Sequence, residues 1–256
     1  MADPMMDLWR GIEMTPLARF DPRVVDGLPV AAARYLLHAL APGAPLPHAA
    51  HLRMRGTIKL DGRWWPFRAE QVIAWGRGFV WKARARVRGL PVVGFDRLLD
   101  GEAEMRWKLL GLFPVLTASG PELARSAAGR LAGEALWLPS VFLREGVGMS
   151  EVGDELVVDL AAHGVTSRLH LGLSARGSVS TFRYLRWGDP DKTGFREVPF
   201  GGRVEAERTI DGLTFPSKLT LGWYFEAEDG LPHEAPTRFD REGAFFTCEI
   251  EDLEYR

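Results

Sequence analysis

The chain has 256 residues, 46% of them hydrophobic and 26% charged, with a formal net charge of −2. That is ordinary globular composition, with no bulk attraction to nucleic acid and no apolar run near the ~18 residues of a membrane span. Cys248 is the only cysteine, which excludes an internal disulfide framework and a thiolate zinc cluster.

The first residues carry acids throughout (Asp3, Asp7, Glu13, Asp21) and so depart from the basic-then-apolar order of a secretory signal. A cytoplasmic location is the corresponding expectation. Basic residues divide into 27 Arg and 5 Lys, Asn is absent, and Gln71 is the only glutamine. Tight hairpins that need positive φ must therefore rely on Asp-Gly in place of Asn-Gly. Asp-Gly occurs at residues 26, 61, 100, 211 and 229, and the pairs starting at 61, 100 and 211 separate alternating segments.

Residues 1–25 show no strong period and read as an arm packed on the surface. Asp26 is then expected to cap a helix over 26–40 with Pro29 in its first turn, presenting Val30, Ala33, Leu36, Leu37 and Leu40 on one face. The proline-rich stretch from Ala41 to Pro47 ends it. Strands follow over 52–110. Leu52, Met54, Ile58 and Leu60 alternate with Arg53, Arg55, Thr57 and Lys59. A two-residue turn at Asp61-Gly62 sets Ile58 opposite Trp65, Gly56 opposite Phe67, Met54 opposite Ala69 and Leu52 opposite Gln71. On the outer face it sets Arg53 opposite Glu70. Phe79, Trp81, Ala83, Ala85 and Val87 form a second inner row, with Lys82, Arg84, Arg86 and Arg88 on a solvated outer face. Val92–Leu99 and Ala103–Leu110 make a further hairpin about Asp100-Gly101.

A middle helix spans 119–138, opened by a capping box at Ser119-Gly-Pro-Glu122 and carrying the stripe Leu123, Ala127, Leu131 and Ala135. Strands resume over 155–253. Val165, Leu169, Leu171 and Leu173 alternate with polar residues. In 178–187, Phe182 and Tyr184 compete with Val179 and Leu185 for the inward face. A hairpin about Asp211-Gly212 pairs Val204 with Leu219, Ala206 with Ser217 and Arg208 with Phe215, with Glu205 near Lys218 outside. Phe246, Cys248 and Ile250 close the series. With no repeat or long linker, residues 1–256 read as one mainly β domain with helices (α+β). Its expected core is a strongly curved or barrel-like antiparallel sheet of about nine or ten strands, with two main helices packed on it or capping it.

Motifs for cofactor chemistry are missing. Gly76-Arg-Gly-Phe-Val-Trp81 and Gly146-Val-Gly-Met-Ser-Glu151 lack the last glycine of a dinucleotide fingerprint, and Lys192-Thr193 follows Asp-Pro-Asp instead of a glycine loop. There is no Gly-x-Ser-x-Gly elbow. His233-Glu234 runs into Ala-Pro-Thr, not a zincin helix, and of the six histidines only His48 and His51 are closely spaced. No cofactor and no metal are expected.

What stands out is aromatic content on inward rows: Trp65, Phe67, Phe79, Trp81, Phe215 and Trp223. These either fill a core or line a cavity for one apolar ligand. The polar exceptions on the same rows are Gln71 and Arg208, the latter needing a partner if buried. Arg130 and Glu134 lie four apart on the middle helix and read by default as a surface pair; a helix that caps a cavity would instead make Glu134 a desolvated acid or base. Of Arg183 and Tyr184, only one can face inward.

Several blocks resemble a bacterial family of unknown function. They are Gly27-Leu-Pro with Arg34-Tyr-Leu36, Trp65-Pro-Phe-Arg-Ala-Glu-Gln71, Gly78-Phe-Val-Trp-Lys-Ala83 and Lys108-Leu-Leu-Gly-Leu-Phe-Pro-Val115. The run continues in Arg130-Leu-Ala-Gly-Glu-Ala-Leu-Trp-Leu-Pro139 and in Phe215-Pro-Ser with Gly222-Trp223. The resemblance covers nearly everything after residue 26. It implies a curved antiparallel sheet of lipoprotein-carrier or lipocalin-like kind and brings no catalytic residues. The chain departs from the family pattern at Gly148-Met149, where the family has a tryptophan.

Two functions fit these observations. One is binding of a lipid-like or polycyclic molecule, with Trp65, Phe67, Gln71, Phe79, Trp81, Arg183, Phe215 and Trp223 as candidate contacts. The other is a cofactor-free cyclase, isomerase or hydrolase for a polyketide- or terpenoid-like substrate, with Glu134, Arg208 and Tyr184 as candidate catalytic groups. A domain with a filled core and no ligand is the third possibility. The partner expected is an apolar small molecule, with neither nucleic acid nor a membrane span. Oligomeric state is left open.

Overall fold

The computed structural model describes residues 3–13, 17–226 and 236–256. His233 and the Asp-Gly pair at 229 lie outside them. The chain builds one antiparallel sheet of 13 strands in the order β6-β5-β4-β3-β2-β1-β13-β12-β11-β10-β9-β8-β7. Strands β1 (Ala49–Leu60), β2 (Arg63–Ala74), β3 (Gly78–Val87), β4 (Leu90–Leu99), β5 (Glu102–Leu109) and β6 (Phe113–Ser119) form one arm. The other arm holds β7 (Gly148–Val152), β8 (Glu155–Ala162), β9 (Val165–Leu173), β10 (Val179–Gly188), β11 (Arg196–Ile210) and β12 (Leu213–Trp223), and β13 (Ala244–Tyr255) joins the two. The sheet has more strands than the nine or ten expected, and it is curved and open: β6 and β7 are free edges instead of barrel partners.

Hairpin chemistry explains the register. Asp61-Gly62, Asp100-Gly101 and Asp211-Gly212 all take positive φ at both residues, as a two-residue turn matched to strand twist requires. The first hairpin pairs Ile58 with Trp65, Gly56 with Phe67, Met54 with Ala69 and Leu52 with Gln71, as the alternation predicts. At Asp211-Gly212, Val204 faces Leu219 and Arg208 faces Phe215, but a bulge sets Ala206 against Lys218 instead of Ser217. The outer ion pair between Lys218 and Glu205 forms at 2.7 Å. Arg53 and Glu70 are register neighbours without being ion partners: Arg53 turns to Asp252, and Glu70 bonds His51 at 2.8 Å.

The helices differ from expectation in detail. The N-terminal arm contains α1 (Pro4–Arg10), capped by Asp3, whose carboxylate accepts from the Met5 and Met6 amides. It buries Met5, Leu8 and Trp9 against Val72, Ala74 and Val80 on the outer face of the sheet. Asp26 ends a short 3-10 turn over Pro22–Val25, so α2 starts at Val30 with no side-chain cap and runs to Ala39. Its buried face is Ala31, Ala32, Tyr35, Leu36 and Ala39, leaving Val30 and Leu37 in solvent. In α3 (Pro121–Glu134) Gly120 occupies the cap position and no Ser119 bond forms. Ala127, Leu131 and Ala135 are buried as expected, because α3 crosses the inner face and meets β3 to β6 on one side and β8 to β10 on the other.

Gly56 marks where the two arms meet. Its neighbours are Phe67 on β2 and Cys248 on β13, and a Cβ there would lie 1.9 Å from the Thr247 carbonyl oxygen. Gly56→Ala is therefore expected to destabilise the protein by about 1–3 kcal/mol. Thermal unfolding would show this as a fall of roughly 2–4 °C per kcal/mol for a domain of this size. An unchanged Tm would contradict the strand spacing described.

Candidate functional site

The inner face of the sheet and the underside of α3 enclose a cavity of about 450 Å³. Its walls carry Met54, Phe67, Trp81, Trp107, Phe200, Trp223 and Phe246, with Leu136 and Trp137 contributed from the 3-10 turn that follows α3. Leu60, Val115 and Leu116 line the cavity and are also exposed, so it reaches solvent along this rim. A bulge in β6 beside Trp107 explains why the consecutive residues Val115 and Leu116 both point inward. The aromatic rings pack against one another: Phe67 stacks on Phe246 at 4.9 Å and meets Trp81 edge-on at 5.9 Å, and Trp81 lies tilted 5.6 Å from Trp107.

A charged knot sits at the α3 side of this apolar space. Arg130 donates through Nε to Glu134 Oε1 at 2.6 Å and through Nη1 to Asp96 Oδ2 at 3.3 Å. Gln71 Nε2 donates to the other Glu134 oxygen at 2.7 Å, and Trp107 Nε1 donates to Asp96 Oδ1 at 2.9 Å. The guanidinium of Arg130 lies over the rings of Phe79, at 4.4 Å, and Trp81, at 5.3 Å. Burial disfavours the charged form of Arg130, but Glu134 and Asp96 outweigh that and raise its pKa. Asp96 is pushed up from the carboxylate range by burial, against the opposing pull of Arg130 and the Trp107 bond. Arg130 and Glu134 are thus a buried pair and not the surface pair that their helical spacing implies by default.

Tyr184 and Arg186 enter from β10, two residues apart on the same face as Phe182. Burial pushes the Tyr184 phenol up to about 12, which keeps its hydroxyl neutral at physiological pH. The hydroxyl lies against α3 at Gly133, where a Cβ would stand 2.8 Å from the oxygen. Arg186 donates through Nε to the Ser126 carbonyl at 3.3 Å and stacks over Phe200 and Trp223 at 4.7 and 5.3 Å.

Of the residues singled out in the sequence, Phe67, Gln71, Trp81, Glu134, Tyr184 and Trp223 line the cavity. Phe79 and Phe215 are core residues, at 1% and 0% exposure, with Phe79 forming the floor under Arg130. Trp65 sits half-buried opposite Ile58 near the hairpin end, away from the cavity lining. Arg183 points to the other face of β10, where it pairs with Glu155 and meets His170 at 3.3 Å. Arg208 is exposed near its turn and donates to the Ile250 and Glu251 carbonyls, so it is not a cavity residue. His48 and His51 engage Arg144 and Glu70 respectively and share no ligand position. Sequence reasoning missed Asp96, Trp107, Arg186, Phe200 and Phe245. Arg186 follows from Tyr184 by alternation once the inward face of β10 is known.

The chain belongs to the family of unknown function DUF6544, whose model matches residues 18–231. No curated protein matches it. Among solved structures it is similar to a LolA-superfamily protein from Nitrosomonas europaea, at 10% identity and TM-score 0.43, covering 88% of this chain and 92% of that one. A domain from Vibrio parahaemolyticus described as an outer-membrane lipoprotein-sorting protein is similar at 8% identity and TM-score 0.42, covering 81% and 85%. A DUF1329-family protein from Desulfovibrio piger is similar at 12% identity and TM-score 0.34, covering 88% and 90%.

Two outcomes test the charged knot. Glu134→Ala removes the nearer of the two carboxylates on Arg130 and the acceptor of Gln71, and is expected to lower stability by about 1–3 kcal/mol in denaturant unfolding; a loss within ~0.5 kcal/mol would place the pair effectively in water. Asp96 has a folded pKa raised above its unfolded value, so the native state takes up its proton first. Lowering pH from 7 towards 4 therefore stabilises wild type relative to Asp96→Asn, and the difference in Tm (wild type minus variant) is expected to rise over that window. A flat difference would contradict the desolvation of Asp96.

Proposed function

We propose that this protein binds a hydrophobic small molecule, lipid-like or polycyclic, between the curved sheet and α3. One observation carries the reading: an aromatic-lined space of about 450 Å³ that the protein's own side chains leave unfilled. Its size lies within the ~300–1,000 Å³ range of small-molecule sites, and its lining has the expected make-up of apolar walls with a few placed polar groups. Cores ordinarily close to crystal-like density, and an empty apolar space costs stability in proportion to its volume. A ligand that removes its own apolar surface from water at ~25 cal/mol per Å² offsets that cost without any catalytic group.

A cofactor-free isomerase, cyclase or hydrolase is the second reading, and Asp96 is the observation that favours it, as a cavity carboxylate with a raised pKa. Asp96 is held by Arg130 and Trp107, however, and both oxygens of Glu134 accept charged or amide donors. Groups so engaged are built to stay in place. Of the candidate acids and bases this leaves Tyr184, whose high pKa suits a donor better than a base. Binding is therefore the function we advance.

Titration with the neutral dye Nile red tests it. Saturable binding of one dye per chain is expected, with affinity falling at least about tenfold in Ala83→Trp, which fills the cavity from β3. No saturable binding, or equal binding by the filled variant, would overturn the reading.

A further inference from the structure

Resting on that reading, we infer that the ligand is an amphipathic anion, with its oxyanion group held by the free guanidinium nitrogens of Arg186 and its apolar body among the cavity aromatics. The two cavity arginines are partnered differently. Arg130 is satisfied, since Glu134 and Asp96 both accept from it. Arg186 is not. Its Nε donates to a backbone carbonyl and its face is covered by Phe200 and Trp223, yet no described carboxylate pairs with it and neither Nη has a hydrogen-bond partner among the described residues.

A guanidinium stays protonated at any physiological pH, so a cavity arginine has only two ways to meet its need: water or an anion. Burial disfavours the charged form of Arg186; Tyr184, Glu134 and Asp96 oppose this through space without hydrogen-bonding to it, and the nearby Arg130 charge adds to it. The stacking of its face on two rings leaves the planar edge, the fork of the Nη groups, as the one side able to engage a partner. That edge is the part of arginine that matches carboxylate or phosphate oxygens two at a time. Because Arg186 lines the cavity, its edge is available to a molecule within it. Tyr184 adds a neutral hydroxyl donor two residues away on the same face, also with no hydrogen-bond partner among the described residues. Both donors sit next to α3, while the opposite walls of β1, β2 and β13 supply Met54, Phe67 and Phe246 for the apolar body.

The geometry thus distinguishes this ligand from a neutral polycycle or an alkane, which would displace water from the Nη groups without replacing its hydrogen bonds. A fatty-acid-like carboxylate and an alkyl phosphate share the required chemistry.

Displacement of Nile red from the full chain by dodecanoate, dodecyl phosphate and dodecan-1-ol separates these possibilities. At least one anion is expected to displace the dye at about tenfold or more lower concentration than the alcohol, the size of a charge-assisted hydrogen-bond pair. The better of the two anions identifies the headgroup. In Arg186→Gln the anion and alcohol are expected to become equal, while Arg186→Lys keeps the charge without the fork and retains part of the preference. Equal displacement of wild type by all three compounds, displacement by none, or an anion preference that survives Arg186→Gln would overturn the inference while leaving the apolar cavity standing. Should Arg186→Gln fail to bind Nile red, the wild-type ratio and Arg186→Lys decide. Failure of wild type to bind Nile red at all would instead remove the cavity reading and the inference with it.

Discussion

The arrangement depends on the buried contact between Arg130 and its two carboxylates. Glu134 lies one turn along the same helix, whereas Asp96 belongs to β4 and Gln71 to β2. The knot therefore ties α3 to two strands of one arm at a point where small residues of the helix face the sheet. A buried ion pair of this kind adds less stability than well-packed apolar side chains of the same volume would. Its value lies in geometry: charge pairs demand their partners at fixed distances, and this holds the helix in one place above the sheet. Trp137 reinforces the position from the other arm, with its indole donating to the Pro216 carbonyl at 3.0 Å.

Holding the helix there creates a cavity with unequal sides. The walls from β1, β2 and β13 are apolar apart from Gln71 on β2. Towards α3 stand two guanidiniums, two carboxylates, an amide and a phenol. Within this group the charges are not distributed evenly, because both carboxylates are spent on Arg130. Arg186 is left with aromatic faces and one backbone carbonyl. Low dielectric strengthens whatever reaches it and penalises its isolation in equal measure. The fold thus combines a fully hydrogen-bonded anchor with one nearby cation to which no carboxylate is hydrogen-bonded, and the functional reading follows from that difference.

Much of the fold could be read from residue pattern, and the failures have physical causes. Hairpins whose turns begin with Asp were legible because Asp tolerates positive φ. The turns at Arg88-Gly89, Leu110-Gly111 and His163-Gly164 adopt the same backbone with first residues that carry no such signal. The strands flanking Arg88-Gly89 were legible from their own alternation, but β6 beside Leu110-Gly111 and β8 beside His163-Gly164 were missed. Bulges blurred the inward face elsewhere: a register shift between Val179 and Thr181 lets Val179 and Phe182 both be buried despite opposite parity. That shift is what hid the orientation of Tyr184, and Arg186 with it. Asp96 was illegible for another reason, since its role comes from a partner 34 residues away on a helix that no local period connects to β4. Arg208 misled because strand parity alone cannot show that a residue near a turn has reached water. The aromatic rows of β2 and β3 were read correctly in position, but whether they fill a core or border a space is decided by where α3 comes to rest.

The most direct measurement uses a bromine-bearing chain as a contact quencher, titrating 11-bromoundecanoate and unbrominated undecanoate while following tryptophan emission. Trp81, Trp107, Trp137 and Trp223 all line the cavity. A ligand seated there is expected to quench emission saturably in the brominated form alone, and to do so weakly or not at all in the cavity-filled protein. Absence of saturable quenching, or equal quenching of the filled protein, would contradict a ligand bound between the sheet and α3.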